Sequence, residues 1–212
     1  KMQYEDEDGL DEKSLADFMS FLSETPYLAS ENDTGKKIYH LISRLWSDEE
    51  EQYIIGFDEE YYYHSRKRGV YDAPYVFDQM LKAPVGISGP GRYNHSGRSH
   101  YYFSNTKEGA INEIEKHSTG EYVIQTVKIA PSKDIRMLDL SGTLTKGKTF
   151  LKYLRFSANE INSQMPREYL IPCFVADCCK KIGFEGIKYK GDKGSSNYVC
   201  WNDGYFKIVE NV

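Results

Sequence analysis

The order of strand-like and helix-like segments constrains the fold of this chain more than any other feature of its sequence. Strands that alternated regularly with helices would indicate a doubly wound parallel sheet, but here they do not alternate regularly. We therefore predict an α+β fold, with a mixed or antiparallel sheet and flanking helices. The predicted strands are 60–65, 99–104, 121–130, 135–140, 185–190, 197–201 and 204–209, and the predicted helices are 74–81, 106–117, 147–163 and 170–182.

The amino-terminal part differs from the rest in charge and pattern. Residues 1–60 hold 17 acidic and 5 basic residues, a balance of −12, whereas residues 61–212 hold 15 and 22, a balance of +7. Two apolar stripes at helical spacing, Leu15 to Leu22 and Ile38 to Trp46, predict two helices, the second capped by Thr34. We predict an acidic helical extension, 1–55, and a main domain, 56–212. The extension is either a solvated appendage or a segment that lies against the basic part and controls access to it.

A strand, a turn and a helix form a corner around residue 105. Tyr102 and Ser104 share one face of the predicted strand, Thr106 is the predicted helix cap, and Glu113 lies about two turns into the helix. The preceding glycine-rich loop carries Arg92 and can bring backbone N–H groups close to an anion. An arginine, a tyrosine and a carboxylate around one corner suit the cleavage of a glycosidic bond beside a pyrophosphate.

These residues resemble a known family. The order "GRYN", a glycine, a short strand and then T-x-x-x-A-x-x-E, ending at Glu113, resembles the RES domain of bacterial toxin–antitoxin toxins, named for its Arg, Glu and Ser. The resemblance runs roughly from Tyr61 to the end of the chain. Its further segments are YHSRKRG at 63–69, IRMLDL at 135–140, and the region from Tyr169 to Trp201 with GFEGIKY and NYVCW.

The resemblance implies a fold of the ADP-ribosyltransferase type and a cytoplasmic enzyme that breaks the nicotinamide–ribose bond of NAD⁺, with water or phosphate as the acceptor. It also implies a cognate antitoxin as partner, NAD⁺ as substrate and no further cofactor. Glu113 would offset the positive charge of the oxocarbenium-like sugar. The catalytic residues would be Glu113, Tyr102 and Arg66, and the NAD⁺-binding residues Arg92, Arg68, Tyr93, Asn94, Ser195, Ser196 and Asn197.

The serine of the family motif is displaced in this chain. The strand Gly186 to Lys190 is followed by Gly191 where the family usually has serine, so Ser195 or Ser196 would supply the hydroxyl if the loop folds back. This departure keeps two alternatives open: a mono-ADP-ribosyltransferase that modifies a protein, and an inactive NAD⁺-binding or interaction module. Each of these residues also has a purely structural interpretation. Glu113, for example, could form an ordinary surface ion pair with Lys116 on the same helix.

Several classes of function lack support in the sequence. No run of eighteen apolar residues predicts a membrane span, and the acidic start lacks the layout of a signal peptide. Neither a zinc-type spacing nor a nucleic-acid motif occurs, so we expect no metal and no direct nucleic-acid binding, while homo-oligomerisation stays open. The cysteines read as reduced core residues, with a nucleophilic role as the less favoured alternative: Cys173, Cys178, Cys179 and Cys200.

Overall fold

A computed structural model describes residues 9–47, 54–141, 150, 154, 167–191 and 194–212. Eight strands form one sheet in the order β1-β5-β6-β7-β3-β2-β4-β8. The pair β5–β6 is parallel and the other pairs are antiparallel, so the sheet is mixed and the predicted α+β class is confirmed. The strands are β1 (Ile54–Ile55), β2 (Tyr62–Arg68), β3 (Tyr101–Ser104), β4 (Val123–Pro131), β5 (Met137–Asp139), β6 (Gly186–Lys190), β7 (Ser196–Cys200) and β8 (Phe206–Asn211).

Four α-helices have both ends within the described residues, and side-chain caps explain where several begin. Thr106 caps the third helix by accepting a hydrogen bond from the Gly109 N–H, as predicted. The second helix is capped by Asn32, whose Oδ1 accepts from the Thr34 N–H, rather than by Thr34. An asparagine just outside the first turn takes the cap because its amide oxygen reaches the unpaired N–H groups. The helices are α1 (Glu12–Glu24), α2 (Asp33–Ser47), α3 (Lys107–Glu115) and α4 (Leu170–Ile182).

The structure differs from the prediction at one predicted helix and describes only part of another. Only a short 3₁₀ turn, Phe77–Met80, forms within the predicted helix at 74–81. The Tyr75 N–H donates to Gln125 Oε1 and the Tyr75 carbonyl accepts from Gln125 Nε2, so this backbone pairs with β4 instead of within a helix. The predicted helix at 147–163 lies mostly outside the described residues; within it Phe150 and Leu154 are helical and buried.

The two faces of the sheet pack in different ways. We call the face that carries Leu138, Ile187 and Val199 the helical face, because it shares a hydrophobic cluster with α1, α2 and α4. The opposite face carries Phe103 and Tyr198, whose rings stack with centroids 5.1 Å apart, and we call it the aromatic face. Each residue's face follows from the period-two alternation of its strand.

The amino-terminal helices are part of the main hydrophobic cluster. Phe18 of α1 is 1% exposed and its ring lies edge-on to Phe174 of α4, at 5.2 Å between centroids. Trp46 of α2 meets Phe184 at 4.7 Å and stacks on the Arg136 guanidinium. The predicted helices at the amino terminus thus share a core with the sheet, while the domain boundary near residue 55 stays a prediction.

Candidate functional site

A row of side chains crosses the helical face of four neighbouring strands. Residues paired across neighbouring strands lie on the same face. Tyr189 of β6 pairs with Asn197 of β7, which pairs with Ser104 of β3, which pairs in turn with Tyr63 of β2. We call these four residues the transverse row. Tyr189 and Asn197 lie two residues from Ile187 and Val199, which places them, and with them Ser104 and Tyr63, on the helical face.

Helix α3 brings Glu113 over this row. The Thr106 cap starts the helix directly after β3, so the chain turns back across the sheet. Gly109 permits the close approach, because a Cβ at this position would lie 2.3 Å from Ser104 Oγ. Asn197 Nδ2 donates a hydrogen bond to Glu113 Oε2 at 3.1 Å. The corner that the sequence predicts therefore holds a carboxylate against the middle of the sheet.

The loop before β3 is held by the hydroxyl of Tyr102. This hydroxyl accepts from the Tyr93 N–H at 3.0 Å and donates to Asn94 Oδ1 at 2.9 Å. Gly91 closes the turn through backbone hydrogen bonds with Asn94, and a Cβ on it would lie 2.8 Å from the Tyr102 hydroxyl. In this structure Tyr102 and Asn94 therefore support the loop. Their predicted contacts with NAD⁺ stay predictions.

Two contacts tie the same loop to α4. The thiol of Cys173 lies 3.5 Å from the Gly91 carbonyl and 3.6 Å from the Arg92 carbonyl, as a weak donor. His95 Nε2 lies 2.8 Å from Asp177 Oδ2. Helix α4 and strand β3 thus clamp the loop from both sides, and this fixes the backbone that presents Arg92.

Arg92 lies between the loop and the transverse row. Its guanidinium carbon is 5.2 Å from the centroid of the Tyr189 ring. Burial opposes the positive charge, but interactions with Tyr93, Tyr189 and Glu113 outweigh it and raise the pKa of Arg92 above its usual value. The site therefore keeps a charged guanidinium in partly desolvated surroundings, where its hydrogen bonds to an anion are strong.

The tyrosines around Arg92 and Glu113 are neutral. Burial, followed by the nearby Glu113, raises the pKa of Tyr189 well above its usual value, and burial also raises that of Tyr169. Tyr93 is 1% exposed and its pKa is likewise raised by burial. Sequence reasoning did not single out Tyr169 and Tyr189 as site residues, although both lie within the segment that carries the family resemblance.

The loop after β6 folds back, as the displaced serine requires. The Gly191 N–H donates to the Ser195 carbonyl at 2.9 Å. A Cβ at Gly191 would lie 2.3 Å from Ser195 Oγ and 2.9 Å from Asn197 Oδ1. The hydroxyl of Ser195 therefore lies beside the transverse row, in space that a side chain at position 191 would need.

Ser196 does not join this group. It precedes Asn197 on β7, so its side chain is directed to the aromatic face. Its backbone carbonyl accepts from Ser104 Oγ at 3.1 Å and from the Asn105 N–H, and its N–H donates to Asn105 Oδ1. The structure thus brings Ser195, and not the Ser196 hydroxyl, to the transverse row.

The two arginines of β2 lie apart from the transverse row, and their predicted roles toward NAD⁺ stay predictions. Tyr63 belongs to the transverse row, so Arg66, three residues further along, faces the aromatic side. The Arg66 guanidinium lies over the Tyr75 ring at 4.8 Å and donates to the Gln79 carbonyl, and Arg68 donates to the Asp72 carbonyl. The structure does not bring Arg66 or Arg68 together with Glu113.

Other chemistry finds little support in the described part of the chain. There, no group of three or more His, Cys, Asp or Glu residues is placed to hold a metal ion. Burial raises the pKa of Cys178 to about 12 and raises the pKa of Cys173, Cys179 and Cys200 well above the usual value, so these thiols are poor nucleophiles. Among the described helices none has the length and apolarity to cross a membrane.

Comparisons with known proteins place this geometry in a family. One chain of the crystal structure of the M. tuberculosis MbcT–MbcA toxin–antitoxin complex is similar in fold, with a TM-score of 0.50 and 14% sequence identity over 81% of this chain and 90% of that chain. A search of curated proteins found no match. The RES domain profile matches residues 67–211, which include the Arg92 loop, the corner with Glu113 and the strands of the transverse row from β3 to β7. The chain therefore belongs to the RES domain family.

Proposed function

We propose that this protein consumes NAD⁺ by breaking the bond between nicotinamide and ribose. The observation that carries the proposal is the pairing of a half-buried cation, Arg92, with the carboxylate of Glu113 on one side of the sheet. Arg92 stacks on Tyr189, and Asn197, the cross-strand neighbour of Tyr189, holds Glu113. An anionic dinucleotide whose ribose becomes positively charged in the transition state needs these two charges.

The reaction needs no more than one carboxylate. When the glycosidic bond breaks, its electron pair goes to the pyridinium nitrogen, so nicotinamide leaves as a neutral molecule and needs no general acid. The ribose passes through an oxocarbenium-like transition state, whose positive charge Glu113 would stabilise. A lone pair on an oxygen of water or phosphate then forms the new bond to the anomeric carbon, and any proton that this oxygen loses goes to solvent. Arg92 would bind the pyrophosphate through forked, charge-assisted hydrogen bonds, which lysine matches poorly.

We further propose that the protein acts as a toxin held in check by a cognate antitoxin. Its membership of the RES domain family supports this role, and the structure with a similar fold comes from a toxin–antitoxin complex. Consumption of NAD⁺ would make such an enzyme harmful to the cell that produces it, which gives a neutralising partner its purpose.

The test is release of nicotinamide from NAD⁺ by the purified protein, followed by chromatography. We expect release by the wild type and a loss of about 100-fold or more with Glu113→Gln, because the substitution removes the stabilising charge and retains the shape. The matched control is Glu115→Gln, an exposed carboxylate on the same helix, which should cleave like the wild type. Absence of release by the wild type would refute the proposal.

The same assay identifies the acceptor. Runs with and without phosphate distinguish hydrolysis from phosphorolysis by the sugar product. Label from the adenine side of NAD⁺ that becomes attached to protein would identify a mono-ADP-ribosyltransferase instead. NAD⁺ binding without any turnover would identify an inactive binding module.

A further inference from the structure

Asn197 is a buried polar group of the site to which the proposed reaction assigns no step. It is 3% exposed and lies on β7, between β6 and β3, so strands flank it on both sides. Its Nδ2 donates to Glu113 Oε2 at 3.1 Å. A carboxylate can only accept hydrogen bonds, so the amide must present its nitrogen to Glu113 and its oxygen to the other side.

That oxygen has an unusual environment. Among the residues that the structure describes, Asn197 Oδ1 is buried and has no hydrogen-bond partner. It faces Gly191, where a Cβ would lie 2.9 Å away, and glycine has no side chain to cover it. An unsatisfied buried acceptor lowers the stability of the folded state. A residue kept only for packing would avoid this cost, because an apolar side chain of similar size fills the same volume without it.

We propose that Asn197 is a positioning residue, which holds the Glu113 carboxylate in one orientation over the transverse row at the expense of folding stability. The hydrogen bond to Oε2 leaves Oε1 for the reacting sugar. Two features support this inference. The donor comes from the rigid centre of the sheet, and Glu113 itself lies on a helix of only nine residues. A short helix held by its packing needs a fixed partner to define the direction of a flexible side chain. The inference rests on the proposed function for its kinetic readout only.

The first test is Asn197→Leu, which keeps the volume and removes both polar groups. We expect the melting temperature to stay the same or rise, because the unsatisfied oxygen is lost, while kcat falls about 100-fold and KM for NAD⁺ changes little. A side chain with a purely structural role would lower the melting temperature and leave the kcat of the folded fraction unchanged. That result would overturn the inference.

The second variant is Asn197→Asp, whose side chain has the same shape as asparagine. It keeps the inference testable if Asn197→Leu fails to fold. It places a second carboxylate beside Glu113, so turnover should fall at neutral pH and partly recover in acid, where two adjacent carboxylates share a proton. The matched control is Asn202→Asp, in which the new carboxylate still accepts from the Gly204 N–H, and it should behave like the wild type. Wild-type turnover by Asn197→Asp at neutral pH would contradict the proposal.

A structural readout separates this inference from the proposed function. In a crystal structure of Asn197→Leu we expect the Glu113 carboxylate to have moved away from β7. If it keeps its wild-type position, the positioning role is refuted, whether or not the protein cleaves NAD⁺. If the wild type releases no nicotinamide but the carboxylate moves, only the proposed reaction fails.

Discussion

At the scale of single residues, the hydroxyl of Tyr102 shows how hydrogen bonds limit what a side chain can do. Its two hydrogen-bond partners, the Tyr93 N–H and Asn94 Oδ1, belong to the loop that presents Arg92. A hydroxyl has one proton to donate, and here that proton is directed at Asn94. A polar contact between Tyr102 and NAD⁺ would therefore have to use its remaining acceptor capacity or disturb the loop.

Gly191 and Ser195 allow an exchange experiment at the same scale. Gly191 does not have the left-handed backbone that favours glycine, so it is the space taken by Ser195 Oγ that excludes a side chain. We predict that Ser195→Gly and Gly191→Ser each lower kcat/KM for NAD⁺ by about 10-fold or more, the first by removing the hydroxyl and the second by a clash. The double variant should recover most of the activity, because position 191 then supplies the hydroxyl.

Additive losses in the double variant would contradict this exchange. Denaturant unfolding of all three variants provides the control, since a variant that merely fails to fold loses its unfolding transition as well.

At the scale of secondary-structure elements, the side-chain alternation along β2 directs Arg66 away from the face of the sheet that Arg92 approaches. Arg66 faces the aromatic side and contacts Tyr75 and Gln79, whereas Arg92 lies over Tyr189 beside Glu113. We predict that Arg92→Ala raises KM for NAD⁺ about 10- to 100-fold, because it removes charge-assisted hydrogen bonds to the pyrophosphate. Arg66→Ala should lower the melting temperature and leave KM unchanged.

Steady-state kinetics and thermal melts of the two variants make the check. A larger change of KM in Arg66→Ala than in Arg92→Ala would contradict the prediction. It would mean that Arg66 of β2 binds the pyrophosphate and does not face the aromatic side.

At the scale of the whole molecule, α1 and α2 belong to the same core as the sheet. Phe18 is almost fully buried against α4. We predict that Phe18→Ala lowers the free energy of unfolding by about 3–5 kcal/mol, with a single transition in denaturant. Phe21→Ala on the same helix is a partly buried comparison and should cost less. A separate early transition with the remainder unaffected would instead identify an independent appendage.

Two histidines, the buried His64 and the half-buried His100, make the stability of the whole molecule depend on pH. Burial lowers the pKa of His64 and His100 to about 4, from a usual value near 6.5. Between these values the unfolded chain binds protons that the folded protein does not, so stability is complete above pH 6.5 and is lost as the pH falls towards 4. For His64, which is 9% exposed, the loss amounts to about 3 kcal/mol.

Chemical denaturation at pH 7, 5.5 and 4.5 measures this dependence. His64→Phe keeps the ring contact with Tyr101 and should reduce the loss of unfolding free energy between pH 7 and 4.5. The control His40→Gln, at an exposed position, should leave that loss unchanged. An unchanged slope in His64→Phe would show that other groups carry the acid sensitivity.

The sequence by itself determined those features that depend on neighbours along the chain. The strands from 60 onward, the helix at 106–117 with its Thr106 cap and the family of the domain all follow from periodicity, capping and motif order. The corner that carries Glu113 belongs to this group, because a strand, a cap and two helical turns place its side chain within a few residues.

The tertiary structure alone decided which distant residues meet. The register of β2 against β3 directs Tyr63 to the site and Arg66 away from it, and a shift of one residue would exchange them. The fold-back from Gly191 brings Ser195 and Asn197 beside Glu113, which lies more than eighty residues earlier in the chain. Such contacts depend on sheet order and loop closure, and no local pattern of side chains encodes either of these.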